Sequence, residues 1–149
     1  MPRPPSDERA IENLVARYAF LVDDGDFHGL GQLLADCTFT LGPGASVHGA
    51  QAIEQLARDA LQTHDDGTPR TRHVTTNLFI EIDDDGAGAH AQSYYTVLQS
   101  LPDFPLQAIA TGTYRDRFEK RGGSWRFVER SVQTRFVGDV SRHRRPASG

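Results

Sequence analysis

The chain of 149 residues is poor in the features that most quickly assign a function. It has one cysteine, Cys37, so an internal disulfide framework and a multi-cysteine zinc site are both excluded. No run approaches the roughly eighteen apolar residues that a membrane-spanning helix needs. The opening MPRPPSDERA has no apolar stretch of the secretory-signal kind. There is no HExxH, no GxxxxGK[ST], no GxGxxG and no G-x-S-x-G. The six histidines, at 28, 48, 64, 73, 90 and 143, never pair at one, two or four positions apart. The acidic run Glu81–Gly86 fails as a calcium loop, because the twelfth position is Gln92 and not Glu. A net charge of −4 gives nucleic acid no overall attraction. The expectation is a soluble, cytoplasmic, single-domain protein without a nucleic-acid or membrane partner.

What is present is a clear order of elements. Ser6 is placed to cap a helix whose first turn carries Asp7 and Glu8. Ile11, Leu14, Val15, Tyr18 and Val22 recur at helical spacing, and Gly25 suits the left-handed position after the helix. A short second helix follows, with Phe27, Leu30, Leu33 and Leu34 as its buried side. Cys37–Leu41 reads as a short strand. Gly49 to about Thr63 is helical again, with Ile53, Leu56, Ala57, Ala60 and Leu61 on one face.

The rest of the chain has strand character. Thr71–Asp83, Ala89–Ser100, Leu106–Lys120 and Trp125–Val137 are separated by the turns Asp84–Gly86 and Arg121–Ser124. Helices first and a meander of long strands afterwards predict an α+β fold, with helices on one face of a curved antiparallel sheet. The domain is expected over residues 6–138, with loose ends at 1–5 and 139–149.

The candidate chemistry lies in polar groups set on apolar elements. Tyr18 sits on the buried stripe of the first helix. Asp23 lies near that helix's C-terminal end, where the macrodipole disfavours a carboxylate; it is either a functional group or a solvated turn residue, and either it or Asp24 could face His73. His73 shares strand parity with Thr75 and Asn77, a row that lines either a wet cavity or the solvent face of the sheet. Regular alternation would give the core to Val74, Leu78, Ile80 and Ile82 instead, unless a bulge intervenes. Arg130 is flanked by Val128 and Val132, so it needs an anionic partner, either a substrate or an internal aspartate. Tyr94 and Tyr95 point to opposite faces, so one of them turns inward. Cys37 reads as an inert core thiol.

The segment YAFLVDDGDFHGLGQLLAD, the strand start Thr71–Asn77, the strand SYYTVLQS and the late GSWRFVERSV resemble the SnoaL-like family of the nuclear transport factor 2-like superfamily. The resemblance covers about residues 6–138. It implies a cone of curved antiparallel sheet wrapped by three helices. The nearest likeness is to the scytalone dehydratase and bile-acid dehydratase branch, on Asp23 ahead of Asp26–Phe27, on His73 in its T-x-H strand start, and on Tyr18 five residues before Asp23. The stretch Ser93–Leu98 departs from scytalone dehydratase, which carries a second histidine there.

The resemblance implies a lyase or isomerase without metal or organic cofactor, acting on a small hydrophobic carbonyl or polycyclic compound. His73, Asp23 and Tyr18 would be catalytic. From their places on the strands, and not from the resemblance, Arg130, Asn77 and Tyr95 are expected to bind substrate. The resemblance also implies a homodimer or higher homo-oligomer. The alternative is a non-catalytic ligand-binding module, or a small subunit supporting an oxygenase.

Overall fold

A computed structural model describes residues 2–146. The first helix, α1 (Asp7–Asp23), starts where Ser6 accepts a hydrogen bond from the Arg9 amide at 3.2 Å. Its stripe Ile11, Val15, Tyr18 and Val22 is buried. Gly25 follows with φ +72°, and a Cβ there would collide with the Gly67 carbonyl. Only glycine lets the chain turn so tightly beneath that loop. Helices α2 (Phe27–Leu33) and α3 (Ala50–Ala60) pack on each other, joined through the strands β1 (Thr38–Leu41) and β2 (Ser46–His48).

Four long strands complete the chain: β3 (Thr71–Ile82), β4 (Gly88–Leu101), β5 (Phe104–Arg121) and β6 (Ser124–Val137). The six-stranded sheet has the order β2-β1-β6-β5-β4-β3. It is antiparallel except where β1 runs parallel to β6. Three helices on this open, mixed sheet make the expected curved α+β cone, and β2 is the element that sequence patterning does not reveal. The core lies between α1 and the inner sheet face, where Phe39, Ile109, Tyr114, Phe118 and Phe127 are buried. Cys37 is buried with them, and burial pushes its thiol up to about 12, so it stays an unreactive core group.

Bulges decide which side chains face inward. On β3, Thr76 pairs with Tyr94 but Phe79 pairs with Gln92, so β3 carries one extra residue. Asn77 absorbs it with φ +54°. Before the bulge Thr71, His73 and Thr75 turn toward the helices; after it Leu78, Ile80 and Ile82 do. Val74, grouped with the core by simple alternation, is exposed. On β6 a similar shift opposite Arg117–Phe118 lets Trp125 and Phe127, then Arg130 and Val132, all point inward.

The end of the chain overturns an expectation. Residues 139–146 are not a loose tail but fold back under α3. The His143 carbonyl accepts from the Gln62 amide at 2.8 Å, and the Arg145 amide donates to Ala60 at 2.9 Å. Gln62 Nε2 donates to the carbonyls of Ser141 and Arg144, and Gln99 Nε2 to that of Arg142. The basic composition suggested fraying, yet these backbone bonds come from side chains and loop amides remote in sequence. Residues 147–149, also expected to be loose, lie outside the described residues.

Candidate active site

The cone encloses a cavity of about 280 Å³, walled by Tyr18, Val22, Phe39, Tyr95, Tyr114 and the apolar face of α3. His73 enters it from the start of β3. Behind that ring lies Asp23, only 7% exposed. Its Oδ1 stands 2.6 Å from His73 Nδ1 and accepts the Thr71 hydroxyl at 2.8 Å. Its Oδ2 accepts the His73 backbone N–H, also at 2.8 Å. Asp24 is exposed, so the partner of His73 is Asp23.

Burial pushes the Asp23 carboxyl up, but the hydrogen bond and charge of His73, with the amide and Thr71 donors, outweigh it. The carboxyl is held below its ordinary value. An ionised Asp23 requires Nδ1 to carry the proton, which leaves Nε2 with its lone pair available. No protein group among the described residues bonds Nε2.

Tyr18 lines the same cavity, with its ring on Phe39 and edge-on to Tyr114. Burial raises its hydroxyl to about 12, so it remains a proton-bearing donor. Tyr95 lines the cavity too; it stacks on Tyr114 at 4.6 Å and meets the Thr134 hydroxyl at 2.9 Å. Gly112 makes room for it, since a Cβ there would strike the Tyr95 hydroxyl and the Gln133 carbonyl.

Two residues expected to bind substrate lie elsewhere. Arg130 has a side chain 0% exposed and is paired with Asp116 at 2.9 Å. Its guanidinium is clamped between the rings of Tyr18 and Tyr114, 4.1 and 3.6 Å from their centroids. Burial pushes its pKa down, but the Asp116 charge, Tyr114, Tyr18 and the hydrogen bond to Asp116 together outweigh this and keep the cation. Arg130 therefore sits beneath the cavity floor and supports Tyr18 from below. Asn77 is exposed at the bulge and lies outside the cavity, because the extra residue turns its side chain off the His73 row.

Sequence reading missed His143. Its ring lies 6.2 Å from that of His73, lines the cavity and is 7% exposed. Its Nδ1 is buried without a hydrogen-bond partner. Burial, with the neighbouring His73 and Arg144, lowers its pKa to about 4, so it is neutral at physiological pH. No local pattern marks it, because a histidine in a basic tail looks solvated until the tail docks. Among the described residues, no cluster of three or more His, Cys, Asp or Glu side chains is placed to hold a metal ion.

A model of the SnoaL-like domain matches residues 5–131, which include α1, the His73 strand and most of β6. The chain belongs to the SnoaL-like family. No curated protein matches this SnoaL-like domain. Solved structures do. Aln2 from a Streptomyces species is 26% identical with a TM-score of 0.70, covering 88% of this chain and 94% of that one. An Asp→Asn variant of Rv3472, a Mycobacterium tuberculosis protein of unknown function, is also 26% identical at a TM-score of 0.70, over 90% and 78% of the two chains. A candidate scytalone dehydratase from Novosphingobium aromaticivorans is 23% identical with a TM-score of 0.71, over 89% and 87%. It shares the fold. No helix of this SnoaL-like domain is long and apolar enough to cross a membrane, among the described residues.

Proposed function

We propose that this SnoaL-like domain is a dehydratase-like lyase or isomerase, which works by general acid–base chemistry on a small hydrophobic carbonyl or polycyclic compound. The observation that carries this reading is the 2.6 Å contact between Asp23 and a histidine that opens into an apolar cavity. His73 Nε2 takes a proton from the carbon alpha to a carbonyl. Asp23 fixes the tautomer and stabilises the imidazolium that forms. Tyr18 donates a hydrogen bond to the developing enolate oxygen, and the mostly apolar walls of the cavity strengthen that bond. Tyr95 shapes the pocket. The steps need only protein side chains.

The reading favours catalysis over a passive binding module, because a binding wall gains little from a buried carboxylate behind a histidine. We propose separately that the protein is cytoplasmic and assembles as a homodimer or higher homo-oligomer. The exposed Val74, Phe79, Tyr94 and Phe136 on the sheet support an assembly surface, which light scattering of the purified chain tests.

The deciding experiment is exchange of alpha protons in deuterated water, followed by NMR over a panel of aryl ketones and β-hydroxy ketones. The wild type is expected to exchange at least one class, and His73→Ala to exchange it about 10²–10⁴-fold more slowly. Exchange at the wild-type rate in His73→Ala sinks the assignment, as does a wild type inert to the whole panel.

A further inference from the structure

The walls of the cavity are hydrocarbon and aromatic, with His73 and His143 as its imidazoles. The fully charged residues that line it are Arg144 and Arg145, both exposed and so at its opening to solvent. A second, more open pocket adjoins this mouth, sharing Leu41, Thr134 and Arg144 with the cavity and adding Arg135, also exposed. Among the described residues, neither the cavity nor this pocket is lined by an aspartate or glutamate.

That distribution runs against the charge of the chain, which has 20 acidic and 16 basic residues. Arg58, Arg70, Arg126 and Arg142 each hold a carboxylate. Among the described residues the three arginines of the mouth hold none; Arg145 Nε donates to the Leu61 carbonyl at 2.8 Å. The segment that presents Arg144 and Arg145 is itself held by backbone bonds to Ala60, Leu61 and Gln62. Three cations on a docked segment and a strand, with no acid between them, give the mouth a positive potential that low-dielectric walls focus.

We propose that the cavity takes an amphiphilic anion, with its apolar body among Tyr18, Phe39, Tyr95 and α3 and a single anionic group at the mouth against Arg144, Arg135 and Arg145. The volume of about 280 Å³ is at the small end for ligand sites, so a bulky charged group stays outside with the arginines. The acidic end anchors the ligand at the mouth, and the part held inside the cavity carries the carbon presented to His73. The substrate assignment rests on the acid–base reading above, whereas the charge preference of the cavity does not.

Two fluorescent probes of one skeleton separate the terms: anilinonaphthalene sulfonate, and phenylnaphthylamine, which lacks the sulfonate. The wild type is expected to bind the sulfonate about tenfold more tightly at low salt, with the preference shrinking as salt rises. Arg144→Gln should cut sulfonate affinity about fivefold and leave the neutral probe unchanged, while Arg144→Lys keeps the preference. Arg135→Gln, on β6 and away from the docked segment, should act in the same direction and guards against misfolding of the tail. Equal affinities for the two probes, a preference indifferent to both glutamine variants, or no binding of either probe would overturn the proposal. His73→Ala should retain the sulfonate preference. A His73 variant that slows exchange but keeps the preference upholds both readings. A wild type that keeps the preference but exchanges nothing removes only the catalytic one.

Discussion

Asp23 Oδ1 and His73 Nδ1 meet at 2.6 Å although they lie 50 positions apart, one at the last turn of α1 and the other near the start of β3. The same carboxylate also takes the backbone N–H of His73 and the hydroxyl of Thr71, so it fixes the strand as well as the ring. Asp23→Asn should therefore act on both. It removes the downfield imidazole Nδ1–H resonance expected of a ring hydrogen-bonded to a carboxylate in proton NMR. It also slows alpha-proton exchange, and His73→Ala slows it by about 10²–10⁴-fold, the usual worth of a positioned base. An unchanged resonance in Asp23→Asn would contradict the pairing.

Tyr18→Phe keeps the ring that packs on Phe39 and Tyr114 and removes only the hydroxyl. The expected result is an exchange rate lower by about 10²-fold, as when one oxyanion donor is lost, with an unchanged midpoint in urea. A stability loss with unchanged rate would make Tyr18 a packing residue.

Arg130 and Asp116 should respond as a structural pair. Asp116→Ala leaves a buried guanidinium with only aromatic faces around it, and a loss of about 3–5 kcal/mol is expected in chemical denaturation. Replacing both, as Arg130→Met with Asp116→Leu, should recover most of that loss. A double variant no better than the single one would show that the pair contributes beyond satisfying its own charges.

His143 gives stability a dependence on pH. Its folded pKa, about 4, lies below the ordinary 6.5, so between these values the unfolded chain binds the extra proton. The contribution is complete above pH 6.5 and is lost as pH falls toward 4, by on the order of 3 kcal/mol at most. His143→Gln should flatten the slope of unfolding free energy across that window. The Asp23 carboxyl, held below its ordinary 3.8, acts further down: its contribution is present above that value and disappears as pH falls through its lower folded pKa.

Asn77 tests the bulge. Its φ of +54° costs a β-branched residue about 1–2 kcal/mol, whereas glycine adopts it freely. Asn77→Val is expected to lower the urea midpoint and Asn77→Gly to preserve it. Equal stability of the two would mean that the backbone at 77 does not need the left-handed region.

The α+β order, the caps of α1 and the long strands were legible in the chain because they rest on local periodicity. Ser6, Gly25 and the stripe Ile11–Val22 act within a few residues of where they stand. Helix α3 was legible for the same reason: Ile53, Leu56, Ala57, Ala60 and Leu61, read as one face, all line the cavity. Asp23, Tyr18 and His73 stood out as polar groups on apolar elements, and the family resemblance joined them.

The tertiary structure decided what faces what. Whether the His73 row or the Val74 row turns inward depends on one extra residue at Asn77, and alternation alone cannot locate a bulge. Whether Arg130 meets a substrate or an aspartate depends on Asp116 lying opposite it on β5, a pairing of strand register. The fate of the basic tail depends on the Ala60 carbonyl, the amides of Gln62 and Gln99 and the His64 ring, which converge only when the sheet is formed. Those contacts turn an apparently solvated His143 into a cavity wall and bring Arg144 to its mouth. Local propensity acts over a few residues, whereas this site is assembled from α1, β3, β4 and the final segment.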